Sequence, residues 1–239
     1  MTDQQARPAA AGERGASAAT SSEGPRPHLA APAFEVAGSR FTAGIYDAFL
    51  TLGEHRGMRA TRRGLLAGAR GRVLEIGAGT GLNLSHYPEA IDELVLGEPS
   101  APMADRLEAR RARLGRRAHI VAAPAEALPF GDGSFDTVVS TLVLCTVRDP
   151  DAALAEVRRV LRPGGRLLFC EHVRSDSPRL SRWQDRLADA WAAVADGCRC
   201  NRETLDTISS HMRITTVDRL IWRGMPHLVH PVIVGEAVV

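Results

Sequence analysis

Apolar and polar positions along this chain fall into two regimes. From Met1 to about Gly38, Ala, Pro, Ser and Gly dominate and large apolar residues are nearly absent. Such a composition cannot bury a core, so residues 1–39 read as a disordered tail and residues 40–239 as one folded domain. From Arg40 the apolar positions become periodic. Phe41, Ile45, Tyr46, Phe49, Leu50 and Leu52 fall at helical spacing, and a second helix is expected over Met58–Leu66. Short apolar runs then alternate with amphipathic stretches. Strands are expected at Arg72–Ile76, Glu93–Glu98, Ala118–Ala122, Phe135–Thr141 and Arg166–His172. The intervening helices are expected at Leu82–His86, Ala101–Leu114, Ala125–Leu128 and Asp149–Leu161. This βαβ succession calls for a parallel, doubly wound sheet. Arg162-Pro163-Gly164-Gly165 stops the last of these helices and turns into the fifth strand. Helices around Leu180–Val194 and Arg202–Ser209 follow, then strands near Ile214–Trp222 and Val229–Val238. The expected architecture is α/β, a Rossmann-like seven-stranded sheet closed by a C-terminal antiparallel pair.

One segment carries most of the chemistry. In Val73-Leu74-Glu75-Ile76-Gly77-Ala78-Gly79-Thr80-Gly81-Leu82-Asn83 a buried strand runs into glycine at every second position. The glycines bend the chain and let its backbone approach a ligand closely. A carboxylate inside such a strand needs a partner, so Glu75 points to a polar ligand group or an ordered water. The dinucleotide fingerprint requires a glycine where Leu82 stands. The loop therefore suits a nucleotide-like ligand without pyrophosphate. Glu98 ends the next strand, where an acid can hydrogen-bond both vicinal hydroxyls of a ribose.

Charge and cysteine usage narrow the picture. Thirty basic and 28 acidic residues leave a formal charge of +2, which argues for no nucleic acid or acidic partner. Every basic residue is Arg, which fits the codon bias of a GC-rich genome. The cluster Arg106, Arg110, Arg111, Arg113, Arg116 and Arg117 lacks interleaved aromatics and reads as a solvated helix face. Cys145, Cys170, Cys198 and Cys200 form no disulfide framework and fit a reducing cytoplasm. Cys198-Arg199-Cys200 has the wrong spacing for a zinc knuckle, so no metal is expected. No apolar run approaches the length that spans a bilayer.

The glycine segment resembles the first motif of class I S-adenosylmethionine (SAM)-dependent methyltransferases. Later motifs follow in the family's order: Phe135–Cys145 resembles the fourth strand beside the methyl donor, and Val160–Phe169 resembles the turn into strand five. The resemblance implies SAM as cofactor, held by Glu75, Gly77, Ala78, Gly79, Gly81, Asn83, Glu98, Pro99, Met103, Ala125, Glu126, Thr141 and Leu142. Asp136 lies early in its strand, away from the ligand end, and reads as structural. One departure stands out. Family members often carry Gly-Asp ahead of Ala-Glu-x-Leu-Pro-Phe, and Ala123 and Pro124 occupy those places. Proline offers neither carboxylate nor N–H, so adenine recognition is expected to shift to the Ala125 backbone or Glu126.

More distant segments are similar to the alkyl-thiol S-methyltransferase branch: Ser140–Val147, Glu171-His172-Val173, Arg182-Trp183-Gln184, Asp196-Gly197-Cys198, Arg202-Glu203-Thr204 and Pro231–Val238. The resemblance implies methyl transfer to a small molecule, most simply a thiol sulfur. O-, N- or C-methylation of a quinone, lipid head group or natural product is the alternative, and a non-catalytic SAM-binding protein is another. Animal members of the branch carry a hydrophobic N-terminal membrane segment; the Ala/Pro/Ser-rich tail stands in its place here, so no integral membrane segment and no obligate protein partner are expected. His172, at the end of strand five, is the candidate for accepting a proton or orienting a thiolate. Tyr46 is the candidate for contact with the methionine moiety or the substrate. Trp183, Trp191 and Trp222 are candidates to line an apolar pocket, against plain core packing. His227 and His230 read as surface or turn positions.

Overall fold

The computed structural model describes residues 50–239. The tail and the first expected helix as far as Phe49, Tyr46 included, lie outside the described residues. The chain enters on a helical stretch that widens into a π-turn over Glu54–Met58 and continues as α1 (Arg59–Leu66). Gly57, at φ 135°, makes the kink between them. The sheet strands are β1 (Arg72–Ile76), β2 (Glu93–Gly97), β3 (His119–Val121), β4 (Phe135–Thr141), β5 (Leu161–His172), β6 (Arg213–Ile221) and β7 (Pro231–Val238). Between them run α2 (Ala101–Leu114), α3 (Pro150–Val160), α4 (Pro178–Val194) and α5 (Thr204–His211).

The sheet order is β3-β2-β1-β4-β5-β7-β6. The first five strands are parallel, and β7 is antiparallel to both β5 and β6. Strand order reverses between β1 and β4, the place where open α/β sheets bind ligands. Period-two alternation explains how the two faces are covered. Leu74, Val138 and Leu167 pack with Leu154 and Val157 of α3 and Ile208 of α5. Their neighbours Val73, Val139 and Leu168 pack with Leu66 of α1 and Leu107 of α2. Near-continuous apolar runs are what a sheet covered on both sides requires.

Two expected helices are turns instead. Over Leu82–His86 the bonds are short-range, from Leu84 N to Gly81 O (3.1 Å) and His86 N to Asn83 O (2.9 Å). Five residues are too few to repay helix nucleation, and the Asn83 side chain is drawn inward, as described below. Over Ala125–Leu128 the Leu128 N–H leaves the local chain and donates to Glu156 Oε2 (2.7 Å). Arg162–Gly165 bulges from the sheet: Phe135 faces Leu161 and Thr137 already faces Arg166. Helix α3 begins as the sequence suggests, with Asp149 accepting from Ala152 N (3.0 Å) and proline at its first position. Asp136 binds the Arg72 N–H and pairs with Arg162, far from the ligand edge. Among the described residues no helix is long and apolar enough to cross a membrane.

Candidate functional site

The site grows from the carboxyl end of β1. Gly77, Gly79 and Gly81 have φ of 58°, 55° and 81°, a region that favours glycine. Gly77 and Gly81 are also needed sterically. A Cβ on Gly77 would meet Val143 Cγ2 at 2.7 Å, and one on Gly81 would meet Leu107 Cδ1 at 2.7 Å. A Cβ on Gly79 would meet nothing within 4 Å, so this glycine fronts open space. The Ala78 N–H is taken by Gly97 O (2.9 Å), which ties the loop to β2. Ala78 therefore shapes the loop, and its N–H is not a ligand donor.

Glu98 stands beside this loop, after the end of β2. Its Oε2 accepts from Gly79 N (2.7 Å) and its Oε1 from Ser100 N (2.8 Å). Burial raises its carboxyl above the usual range, while those two N–H groups favour the ionised form. Each carboxylate oxygen retains a further acceptor site. The carboxylate is thus fixed in place and able to take two hydroxyl donors side by side. Pro99 is half-buried next to it, and Met103 is buried at the start of α2. The Asp196 carboxylate, in the segment after α4, lies near enough to raise Glu98 further. Asp196 itself holds a left-handed φ of 49°.

Glu75 finds its partners within the protein, which corrects the expectation of a ligand group or water. Its Oε1 accepts from Asn83 Nδ2 and its Oε2 from the Tyr87 hydroxyl, both at 2.8 Å. Asn83 is fully engaged as well. Its amide also donates to Thr141 Oγ1 (3.1 Å), and its Oδ1 accepts from Arg62 Nη1 (2.9 Å). Arg62 completes the chain with Glu54 Oε1 (3.0 Å). Burial pushes the Glu75 carboxyl up to about 7. Glu75 and Asn83 therefore frame the glycine loop from beneath. Glu126 Oε1 accepts from Arg148 N (2.9 Å). Ala125 is buried beside it.

The opposite wall comes from β4 and β5. Leu142 leaves β4 with φ 61° and donates its N–H to Cys170 O (2.8 Å). This turn is held from inside by Glu171, whose carboxylate accepts from Ser140 Oγ (2.6 Å), Val143 N (3.1 Å) and Leu144 N (3.1 Å). Arg202 grips it from the other side through Leu144 O and Val147 O. Neither Glu171 nor Arg62 was visible as a site residue from local pattern, because their partners lie far away in the chain.

Beyond this turn lies a separate apolar cluster containing Met58, Trp222, Met225 and all four cysteines, with Leu82, Leu142 and Trp191 packed against it. His172 is buried and its ring stacks on Trp222 at 5.5 Å. His172 Nδ1, Trp191 Nε1 and Trp222 Nε1 are buried without a hydrogen-bond partner. Trp183 does not join them, since it is 56% exposed on α4. His227 is exposed, and His230 binds Met225 O (2.8 Å) in the turn before β7. Among the described residues no group of three or more His, Cys, Asp or Glu is placed to hold a metal.

Burial holds the His172 imidazole down to about 4, against contacts with the Pro231 and Val229 backbone that favour the charged form. An imidazole depressed on folding contributes stability that is complete above its unfolded value and is lost as pH falls toward 4. His172→Leu is expected to flatten the acid limb of a stability–pH curve between about pH 6.5 and 4, by roughly 3 kcal/mol across that window. Denaturant titrations at several pH values check this; a variant whose acid limb matches the wild type would show that the ring is not buried neutral.

Comparison with known proteins agrees with this architecture. Residues 74–169 match the methyltransferase domain family. The human thiol S-methyltransferase TMT1B is 39% identical over 169 residues, covering 66% of this chain and 69% of the human protein. A demethylmenaquinone methyltransferase of Mycobacterium tuberculosis is 33% identical over 171 residues, covering 71% of this chain and 70% of that protein. A solved SAM-dependent methyltransferase of Thermotoga maritima superposes with a TM-score of 0.61 at 22% identity, covering 83% of this chain and 96% of that one. The glycine cradle, the fixed Glu98 carboxylate and the strand-order reversal beside them fit SAM as the cofactor, and the chain belongs to the class I SAM-dependent methyltransferases.

Proposed function

We propose that this enzyme methylates the sulfur of a small thiol. The carrying observation is the apolar cluster beside the β4 turn, where three buried ring nitrogens without partners sit among large apolar side chains. Polar atoms in an apolar surround are what an apolar acceptor with one polar atom requires. The names of the relatives support sulfur: the human and rodent thiol S-methyltransferases are 36–39% identical to this chain.

In this reading Glu98 takes the vicinal ribose hydroxyls, and Gly77, Gly79 and Gly81 bring the backbone close to the cofactor. Pro99, Met103, Ala125, Thr141 and Leu142 complete the walls. When bound, SAM supplies an electrophilic methyl group on a sulfonium centre. The residues of the chain align the acceptor and keep water out. A thiol with a pKa of about 8.5 supplies some thiolate unaided, so no strong base is required. His172 suits that role: an imidazole held down to about 4 stays neutral at pH 7, a weak base that orients an acceptor through a hydrogen bond. Tyr46 is proposed on the acceptor side from its sequence position. Residues 40–239 are proposed as the methyltransferase domain.

A quinol-type carbon or oxygen is the second reading, favoured by the 33% identity to the mycobacterial menaquinone enzymes. Incubating the protein with SAM and a panel of alkyl thiols, phenols, quinols and amines decides between them. S-methyl products at a kcat/KM at least about tenfold above any other class are expected. Turnover of quinols alone would replace the sulfur assignment. Failure to bind S-adenosylhomocysteine in a calorimeter would remove both.

A further inference from the structure

Cys145 follows β4 and Cys198 follows α4, yet the fold brings their sulfurs to 3.6 Å. Both sulfurs are held by backbone pins. Arg199 N donates to Cys145 O (2.7 Å), Cys198 N donates to Ala195 O (2.9 Å), and Arg202 grips the Leu144 and Val147 carbonyls on either side of Cys145. The other two cysteines are not part of this pair: Cys170 lies 3.8 Å from Met58 Sδ, and burial pushes Cys170 and Cys200 up to about 12. We propose that Cys145 and Cys198 form a redox-active dithiol that reduces small disulfides, with Cys198 attacking and Cys145 resolving the adduct. This activity does not depend on which acceptor is methylated.

The two sulfurs differ in the way the chemistry requires. Both cysteines are buried, but Cys198 at 7% exposure lies nearer the surface than Cys145 at 1%, so an incoming disulfide would meet Cys198 first. The buried Trp191 indole N–H lies beside Cys198 and would donate to an anionic sulfur there. The Cys145 thiol and this indole pull the Cys198 thiol down despite its burial, while Cys145 goes well above its ordinary value. A depressed thiol nearer the surface paired with a deeper, protonated one is the arrangement of attacking and resolving cysteines.

The steps balance. The Cys198 thiolate bonds to one sulfur of the disulfide, whose S–S bond breaks and releases the first small thiol, protonated by the proton that Cys198 gave up. Cys145 then loses its proton and attacks Cys198 Sγ. The mixed disulfide breaks, and the second small thiol leaves with that proton. Two electrons pass from the cysteine pair to the small disulfide, which is the oxidant. The pair ends as a disulfide, with the sulfurs drawn from contact to about 2 Å.

The test uses the full chain, reduced and under native conditions, with the aromatic disulfide 5,5′-dithiobis(2-nitrobenzoic acid). Wild type should release about two aryl thiolates per chain in one coupled phase and carry no adduct, with peptide mapping showing Cys145 joined to Cys198. Cys145→Ser should release about one and keep the aryl adduct on Cys198. Cys198→Ser should react at least about tenfold more slowly. Wild-type mapping decides alone if a variant does not fold. Separate adducts on the two cysteines, no reaction at either, or wild-type rates in Cys198→Ser would overturn the proposal.

Discussion

Glu98→Ala is expected to lower affinity for S-adenosylhomocysteine by at least about a hundredfold while leaving the fold intact, because two charge-assisted hydrogen bonds of roughly 1.5–3 kcal/mol each are lost together. The carboxylate is held on one side by Gly79 N and on the other by Ser100 N, so it does not have to be ordered on binding. Its loss leaves the Gly79 and Ser100 N–H groups without their acceptor in a buried setting, so stability should fall by about 1–3 kcal/mol without loss of the fold. Burial raises the Glu98 carboxyl, so removing it also relieves a desolvated charge. Glu98→Gln should lie between, since an amide keeps one acceptor and presents a donor where a hydroxyl expects an acceptor. Calorimetric titration measures both variants. An affinity within about threefold of wild type for Glu98→Ala would remove this residue from the cofactor site.

Arg62→Met should have the largest effect on stability, a loss of about 3–5 kcal/mol, because it strands a buried partner charge. Arg62 is 4% exposed and Glu54 7%. Their ion pair continues through Asn83 to Glu75, so a single guanidinium terminates two branches of one buried network. The methionine fills most of the volume, leaving the charge as the main variable. Double replacement, Arg62→Met with Glu54→Leu, should recover much of the loss, since removing both members leaves no stranded charge. Denaturant midpoints and a double-mutant cycle read this out. Because the network lies under the glycine loop, S-adenosylhomocysteine affinity should fall along with stability in the single variant. If the single replacement costs less than about 1 kcal/mol, Arg62 is not the keystone described here.

The network also shows where sequence reasoning reaches its limit. Glu75 in an apolar strand announced that a partner was required, but not which one. Tyr87 and Arg62 gave no local signal, because nothing in Ser85-His86-Tyr87 or Thr61-Arg62-Arg63 indicates a buried polar cluster. Glu98 was legible because its place after β2 follows from topology. Trp183, weighed between an apolar pocket and the core, is 56% exposed; helical spacing in α4 does not say which of two adjacent stripes faces inward, and Ser181, Gln184 and Ala188 take the buried one.

By itself, the sequence determined the alternation of strands and helices, the parallel sheet with its antiparallel end, the left-handed glycine turn and the acid beside it. These depend on residues close together in the chain: periodicity, backbone freedom and turn chemistry act locally. Only the tertiary structure decided that Glu75 is satisfied by Asn83 and Tyr87, that Glu171 folds the β4 turn, and that Cys198 meets Cys145. Arg62 to Asn83 spans 21 positions, Ser140 to Glu171 31 and Cys145 to Cys198 53. Such pairings are set by how helices settle on the sheet, where a shift of one turn would give every buried polar atom a different neighbour.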